Sequence, residues 1–210
     1  MEILAHRGLW ESKEEKNTMN AFIKAFDRGF GIETDIRDYK GKLIISHDMG
    51  TESSIILEEL FDVYSHLSNK YTLALNTKAD GIQDDVLKLL TDYEIDKYFF
   101  FDMSVPEMVV YWKKGLHFFT RHSDIESQCV LYEHADGVWI DSFFSENWFS
   151  GQIVNPHINY KKKIGLISAE IHGFDNRSMW NILKKEGLNQ KENFFLCTDT
   201  PEKAKEFFEI

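Results

Sequence analysis

Cysteine is nearly absent: Cys129 and Cys197 are the only two in 210 residues. They are too few and too far apart in sequence to suggest a disulfide framework or a zinc site, and a reducing compartment is the default expectation. Basic residues are also short, 24 Lys and Arg against 35 Asp and Glu, for a formal net charge of −11. That balance repels nucleic acid and anionic bilayers at long range, so neither is expected as a partner. Any anionic ligand must meet a locally positive site. Apolar runs such as Tyr98-Phe99-Phe100-Phe101 fall far below the ~20 residues of a spanning helix, and no membrane insertion is expected. Nor does the start read as a basic, apolar leader. Glu2-Ile3-Leu4-Ala5 reads as a strand, and the expected location is the cytoplasm. With three prolines and no repeat, low-complexity stretch or linker, residues 1–210 are expected to form a single globular domain.

What the chain does have is alternation. Apolar segments of strand length (2–5, 31–36, 72–76, 97–102, 116–120, 136–141, 163–169, 193–197) interleave with amphipathic helical patterns (18–29, 56–68, 81–91, 104–114, 123–134, 176–187, 200–208). Met19, Phe22, Ile23 and Phe26 recur at spacings of three and four, with Asn17 or Thr18 as cap and Gly29 as stop. Tyr39-Lys40-Gly41-Lys42 reads as a turn, so Leu43-Ile44-Ile45-Ser46 returns antiparallel as a hairpin after the second strand. Eight alternating units predict an α/β fold, a compact (β/α)8 TIM barrel shorter than the ~250 residues usual for it. The alternative, an open doubly wound sheet, calls for a glycine-rich loop after the first strand. Here His6-Arg7-Gly8 is followed by Leu9-Trp10-Glu11.

The chemistry gathers in the first quarter. Side chains alternate along a strand, so Glu33 and Asp35 point the same way and can share one hard cation; solvated charges at a strand edge are the plain alternative. His6 closes the first strand and His47 the hairpin strand, which places both at the mouth of a barrel. Histidine titrates near neutrality, so one can take a proton from an attacking oxygen while the other gives one to the leaving oxygen. Arg7 forks towards two oxygens and suits a phosphoryl group, or else a salt bridge to one of the acids. Asp48 either orients His47 or bonds to nearby backbone N–H groups.

The order of His6-Arg7-Gly8, Asn17-Thr18 before Ala21-Phe22, Glu33-x-Asp35 and His47-Asp48 resembles the glycerophosphodiester phosphodiesterase family, metal-dependent (β/α)8 barrels of the phospholipase C-like superfamily. The likeness is dense over residues 5–48 and continues through Asn76-Thr77-Lys78 and Thr198-Asp199-Thr200-Pro201. It implies that His6 and His47 are the acid/base pair, that Glu33 and Asp35 bind Mg²⁺ or Ca²⁺, and that Arg7 and Lys78 contact the phosphate. The family's third metal carboxylate is replaced by Asn76, whose amide oxygen can still ligate a hard cation but brings no charge. The family's substrate-shaping insertion between the His-Asp and Glu-x-Lys elements is reduced to about one helix. Lys16 stands where the family often has glutamate.

Later strand ends add candidates for substrate contact. Arg121 offers a further anion contact or an exposed helix cap. Trp139 offers an aromatic wall or core packing. Glu170, on one side with Ser168 and His172 if the strand extends that far, offers the missing carboxylate, a head-group contact or a surface salt bridge. The expected function is metal-dependent cleavage of a small glycerophosphodiester-like substrate, by water or by a neighbouring hydroxyl. The alternatives are an impaired barrel that binds a phosphorylated ligand and a phospholipid-cleaving enzyme, which the acidic balance disfavours.

Overall fold

The computed structural model describes residues 1–145 and 148–210. In chain order they form β1 (Glu2–His6), α1 (Met19–Asp27), β2 (Gly31–Tyr39), β3 (Lys42–Ile45), β4 (Ile55–Ile56), α2 (Leu57–Ser65), β5 (Leu73–Thr77) and α3 (Gln83–Asp92). Then come β6 (Tyr98–Phe101), α4 (Val105–Lys114), β7 (Phe119–Ser123), β8 (Gly137–Asp141), α5 (Gly151–Asn159), β9 (Lys163–Ile167), α6 (Asn176–Lys185), β10 (Phe194–Thr198) and α7 (Pro201–Phe208).

The chain divides into two compact units, one of residues 6–118 and one of residues 1–5 with 119–210. In the first, β2 pairs parallel with β5, and β5 with β6. β3 returns antiparallel along β2 from the turn at Lys40-Gly41, where both residues take positive φ. The expected hairpin is therefore present. In the second unit β1, β10, β9, β8 and β7 pair in that order, every pair parallel. Strands covered on both faces need near-continuous apolar sequence, and Leu73-Ala74-Leu75 and Phe194-Phe195-Leu196-Cys197 are buried throughout.

Local chemistry sets the helix ends. Thr18 caps α1 by accepting from the Ala21 N–H at 3.3 Å. Ser104 caps α4, which has proline in its first turn and Gly115 at φ +72° beyond its end. The buried stripe of α1 is Ala21, Phe22, Ala25 and Phe26, while Ile23 is exposed. The stripe is thus rotated from the expected one, because small Ala21 is the side that meets the β1–α1 loop.

Three expectations are corrected. The fifth parallel strand runs over Phe119–Ser123, with only an isolated bridge from Phe118 to Phe100 before it. No α-helix forms over 123–134: the Ser123 hydroxyl accepts from the N–H groups of Ile125 and Glu126, closing a turn, and Leu131 takes φ +52° before a short 3-10 turn at Tyr132–His134. Side chains that capture local backbone donors compete with helix in this way. Finally, β9 stops at Ile167, and Ala169–His172 form a 3-10 turn, so strand alternation does not align Ser168, Glu170 and His172. α5 carries Pro156 inside it, which hides its helical pattern from sequence.

Candidate functional site

The loop after β1 is folded back by two left-handed residues, Arg7 at φ +59° and Gly8 at φ +89°. A Cβ on Gly8 would lie 2.7 Å from the Ala21 Cβ and 2.8 Å from the Ala21 backbone carbon, so only glycine lets the loop rest on α1. The Arg7 N–H donates to the Glu33 carbonyl at 2.9 Å, and the Asn17 N–H to the Arg7 carbonyl at 2.9 Å. The His-Arg-Gly turn is thereby tied to β2 and to the head of α1.

On β2, Glu33 and Asp35 are buried on the same face, and Asn76 of β5 is the register partner of Asp35. His6, 9% exposed, places Nε2 3.8 Å from Glu33 Oε2. Asp35 has Arg7 Nε 3.0 Å from Oδ2 and Lys78 Nζ 3.4 Å from Oδ1. Arg7 and Lys78, the two expected phosphate contacts, thus both face Asp35. Asn17 donates from Nδ2 to Asp35 Oδ2 at 2.9 Å and accepts from Thr34 Oγ1 at 2.9 Å. Asn17 is therefore a site residue, and Thr18 alone is the helix cap.

Asn76 donates from Nδ2 to Asp102 Oδ2 at 3.1 Å. A carboxylate requires a donor, so this bond fixes the amide orientation. Asp102 lies one residue beyond β6 at φ +63°, a conformation aspartate tolerates better than most residues. Sequence reasoning passed over it because nothing marks a lone aspartate after an apolar strand. Among the described residues, Glu33 Oε2, Asp35 Oδ1 and Asn76 Oδ1 are three of the nine buried side-chain oxygens that accept no hydrogen bond, and these three lie together on β2 and its partner strand β5. Buried acceptors without donors are costly, and a hard divalent cation with oxygen ligands relieves that cost. The expected trio therefore fits a cation. Burial, then the like charge of Asp35, pushes the Glu33 carboxyl up to about 8, against the opposing pull of Arg7 and Lys78.

His47 is exposed at the end of the hairpin, with Nδ1 2.9 Å from Asp48 Oδ1. Asp48 thus touches His47, one of its two anticipated roles. Both lie in a hollow of about 560 Å³ lined also by Arg7, Lys13, Lys16 and Asn17. This is a locally basic cavity in an acidic chain. Between His47 and Asn76 the chain spends only β4, α2 and their loops before β5, matching the short insertion.

The remaining candidates belong to the other unit and have partners of their own. Arg121 pairs with Glu126 and lies 6.0 Å over the Phe143 ring. Trp139 is 1% exposed and packs over Gly165, where a Cβ would come within 2.3 Å of its ring. This burial corresponds to the core-packing alternative. Glu170 accepts from the hydroxyls of Ser168 and Thr198 and from the Asp199 N–H at 3.1 Å. The carboxylate bonded to Asn76 is Asp102.

No protein-family model and no curated protein matches the sequence. Solved structures do match along its whole length. A candidate glycerophosphodiester phosphodiesterase from Galdieria sulphuraria superposes with a TM-score of 0.78 at 18% identity, covering 100% of this chain and 98% of that one. The glycerophosphodiester phosphodiesterase of Agrobacterium tumefaciens C58 gives 0.71 at 16%, covering 100% and 99%. A phosphodiesterase of Oleispira antarctica, solved with its product sn-glycerol-3-phosphate, gives 0.66 at 15%, covering 100% and 97%. The class is therefore α/β, and the fold is the TIM-barrel fold of those proteins.

Proposed function

We propose that the chain, acting as one domain, is a divalent-cation-dependent phosphodiesterase for a small glycerophosphodiester-like substrate. The observation that carries this reading is the set of buried oxygens on Glu33, Asp35 and Asn76 that accept no hydrogen bond, beside His6, Arg7 and Lys78, with Asp35 Oδ1 meeting Lys78 as an ion pair at 3.4 Å. Mg²⁺ or Ca²⁺, which Glu33, Asp35 and Asn76 would hold, would supply neutralisation of phosphoryl charge and a lowered pKa for the attacking water or hydroxyl.

The chain's own residues do the rest. Asp102 returns, at the end of the neighbouring strand, the negative charge that Asn76 lacks, and it aims the Asn76 oxygen by holding its NH₂ group. Arg7 and Lys78 place two fixed positive charges where the phosphoryl oxygens gather charge. With Nδ1 on Asp48, His47 keeps Nε2 for proton transfer at one of the two reacting oxygens, attacking or leaving, and His6 serves the other. Lys13 and Lys16 extend the basic lining of the hollow and favour a substrate that carries its charge close to the diester.

The test is a panel of glycerophosphodiesters assayed with purified protein and Mg²⁺, Ca²⁺ or Mn²⁺. Cleavage is expected, with His6→Ala and His47→Ala each slower by about a hundredfold or more while the far-UV spectrum is unchanged. Product analysis separates attack by water from formation of a cyclic phosphate. Tight binding of glycerol phosphate with no turnover of any diester would overturn the enzymatic reading in favour of a binding protein.

A further inference from the structure

A second cluster of ligating side chains lies in the other unit, built from β7, the loop after it and α5. His122, near the end of β7, faces His157 of α5, with Nδ1 and Nε2 2.9 Å apart and the ring planes at 89°. Cys129, from the loop, completes the group: its Sγ and one nitrogen from each imidazole all lie within 4.8 Å of one another. Trp148 packs edge-on against His122 with ring centroids 5.4 Å apart. On the far side of His157, Nδ1 is 3.0 Å from the Tyr132 hydroxyl.

We propose that His122, Cys129 and His157 bind one soft or borderline transition-metal ion, Zn²⁺, at a site separate in residues from Glu33, Asp35 and Asn76. Two imidazoles and a thiol are the donors such an ion selects, whereas Mg²⁺ and Ca²⁺ select oxygen. The spacing suits it. Two nitrogens each ~2.0–2.1 Å from a tetrahedral zinc stand roughly 3.3 Å apart, so the facing pair at 2.9 Å need open by less than half an ångström.

Tautomers agree as well. With Nε2 of His157 turned to the site, Nδ1 carries the proton and donates it to the Tyr132 oxygen, the outer hydrogen bond that orients a ligating histidine. Burial lowers both imidazoles, so their lone pairs are available at neutral pH. Burial raises the Cys129 thiol to about 11, so the ion must displace its proton and affinity climbs with pH. Three protein ligands leave a fourth position for water. Because the ligands come from a strand, a loop and a helix, the ion clips residues 124–131 and α5 to β7, where hydrogen bonds otherwise hold the turn.

The probe is Zn²⁺ competed against a chromophoric chelator, with Co²⁺ as the spectroscopic stand-in. One equivalent per chain is expected, with a thiolate-to-cobalt charge-transfer band and a rise in the thermal midpoint. Cys129→Ser, at a half-exposed loop position, is expected to abolish the band and weaken zinc by at least tenfold, while Glu33→Gln leaves both unchanged. A cobalt complex without the thiolate band, or zinc affinity unaltered by Cys129→Ser, overturns the site. His122→Gln gives a second check that spares the Tyr132–His157 bond. Full zinc affinity in that variant would equally refute the proposal.

Discussion

Asn76 gives its amide N–H to the Asp102 carboxylate 3.1 Å away, so a negative charge absent from β5 stands at the end of β6. The amide oxygen, buried and accepting no hydrogen bond, is left to the proposed cation.

That exchange has a measurable signature. Asp102→Asn is expected to weaken Mg²⁺ or Ca²⁺ by about tenfold or more, the usual cost of losing an orienting partner. Asn76→Glu alone sets two carboxylates against each other and is expected to tighten binding little. The pair Asn76→Glu with Asp102→Asn is expected to restore affinity. Calorimetric titration of the metal into the four proteins checks this; equal affinities throughout would place Asp102 outside the site.

Glu33 predicts how metal binding depends on pH. Its carboxyl is raised from 4.5 to about 8, first by burial and then by Asp35, so below pH 8 the cation must expel a proton. Affinity should climb by up to about tenfold per pH unit towards 8 and then level. Titrations in buffers of different ionisation heat should show one proton released at pH 7. The sign for stability is opposite. A raised carboxyl stabilises the metal-free fold fully below 4.5, and that contribution is lost as pH rises through 8. Glu33→Gln should flatten this fall in urea denaturation.

His157 acts in another window. Burial, then neighbouring His122, lowers it from 6.5 to about 4. Its contribution to stability is present above 6.5 and is lost as pH falls through 4. Urea midpoints of the metal-free protein should drop across that interval, and less so in His157→Gln.

Gly8→Ala is expected to cost about 2 kcal/mol or more, because it combines a positive φ with a Cβ 2.8 Å from the Ala21 backbone carbon. The loss should appear in the urea midpoint with no change in its slope. Gly41→Ala, also at positive φ but with open space around it, should cost less.

The sequence revealed the architecture wherever periodicity and composition agreed. The strand-helix alternation, the hairpin at Lys40-Gly41 and the Glu33/Asp35 face all follow from side-chain period and turn chemistry. The structure departs where local hydrogen bonds outcompete periodicity, as at Ser123, or where a breaker is tolerated, as at Pro156. Asp102, and the bond from Asn17 to Asp35, were hidden for another reason. Both come from a partner strand or loop distant in sequence, and neither residue type marks such a role. The His122, Cys129 and His157 cluster was hidden likewise: intervals of seven and twenty-eight residues follow no metal-binding spacing, and three separate elements bring the ligands together.

Every residue of the proposed cation site is made by the time Asp102 is synthesised, whereas β1, which ends in His6, pairs with β10, which follows later in the chain at Phe194–Thr198. At about 5–20 residues per second, translation from Asp102 to the end of β10 takes roughly 5–20 s. For that interval the nascent chain holds the proposed cation ligands while the strand that presents His6 still lacks its β10 partner. The order of synthesis thus separates the making of the proposed cation ligands from the completion of the strand that carries His6.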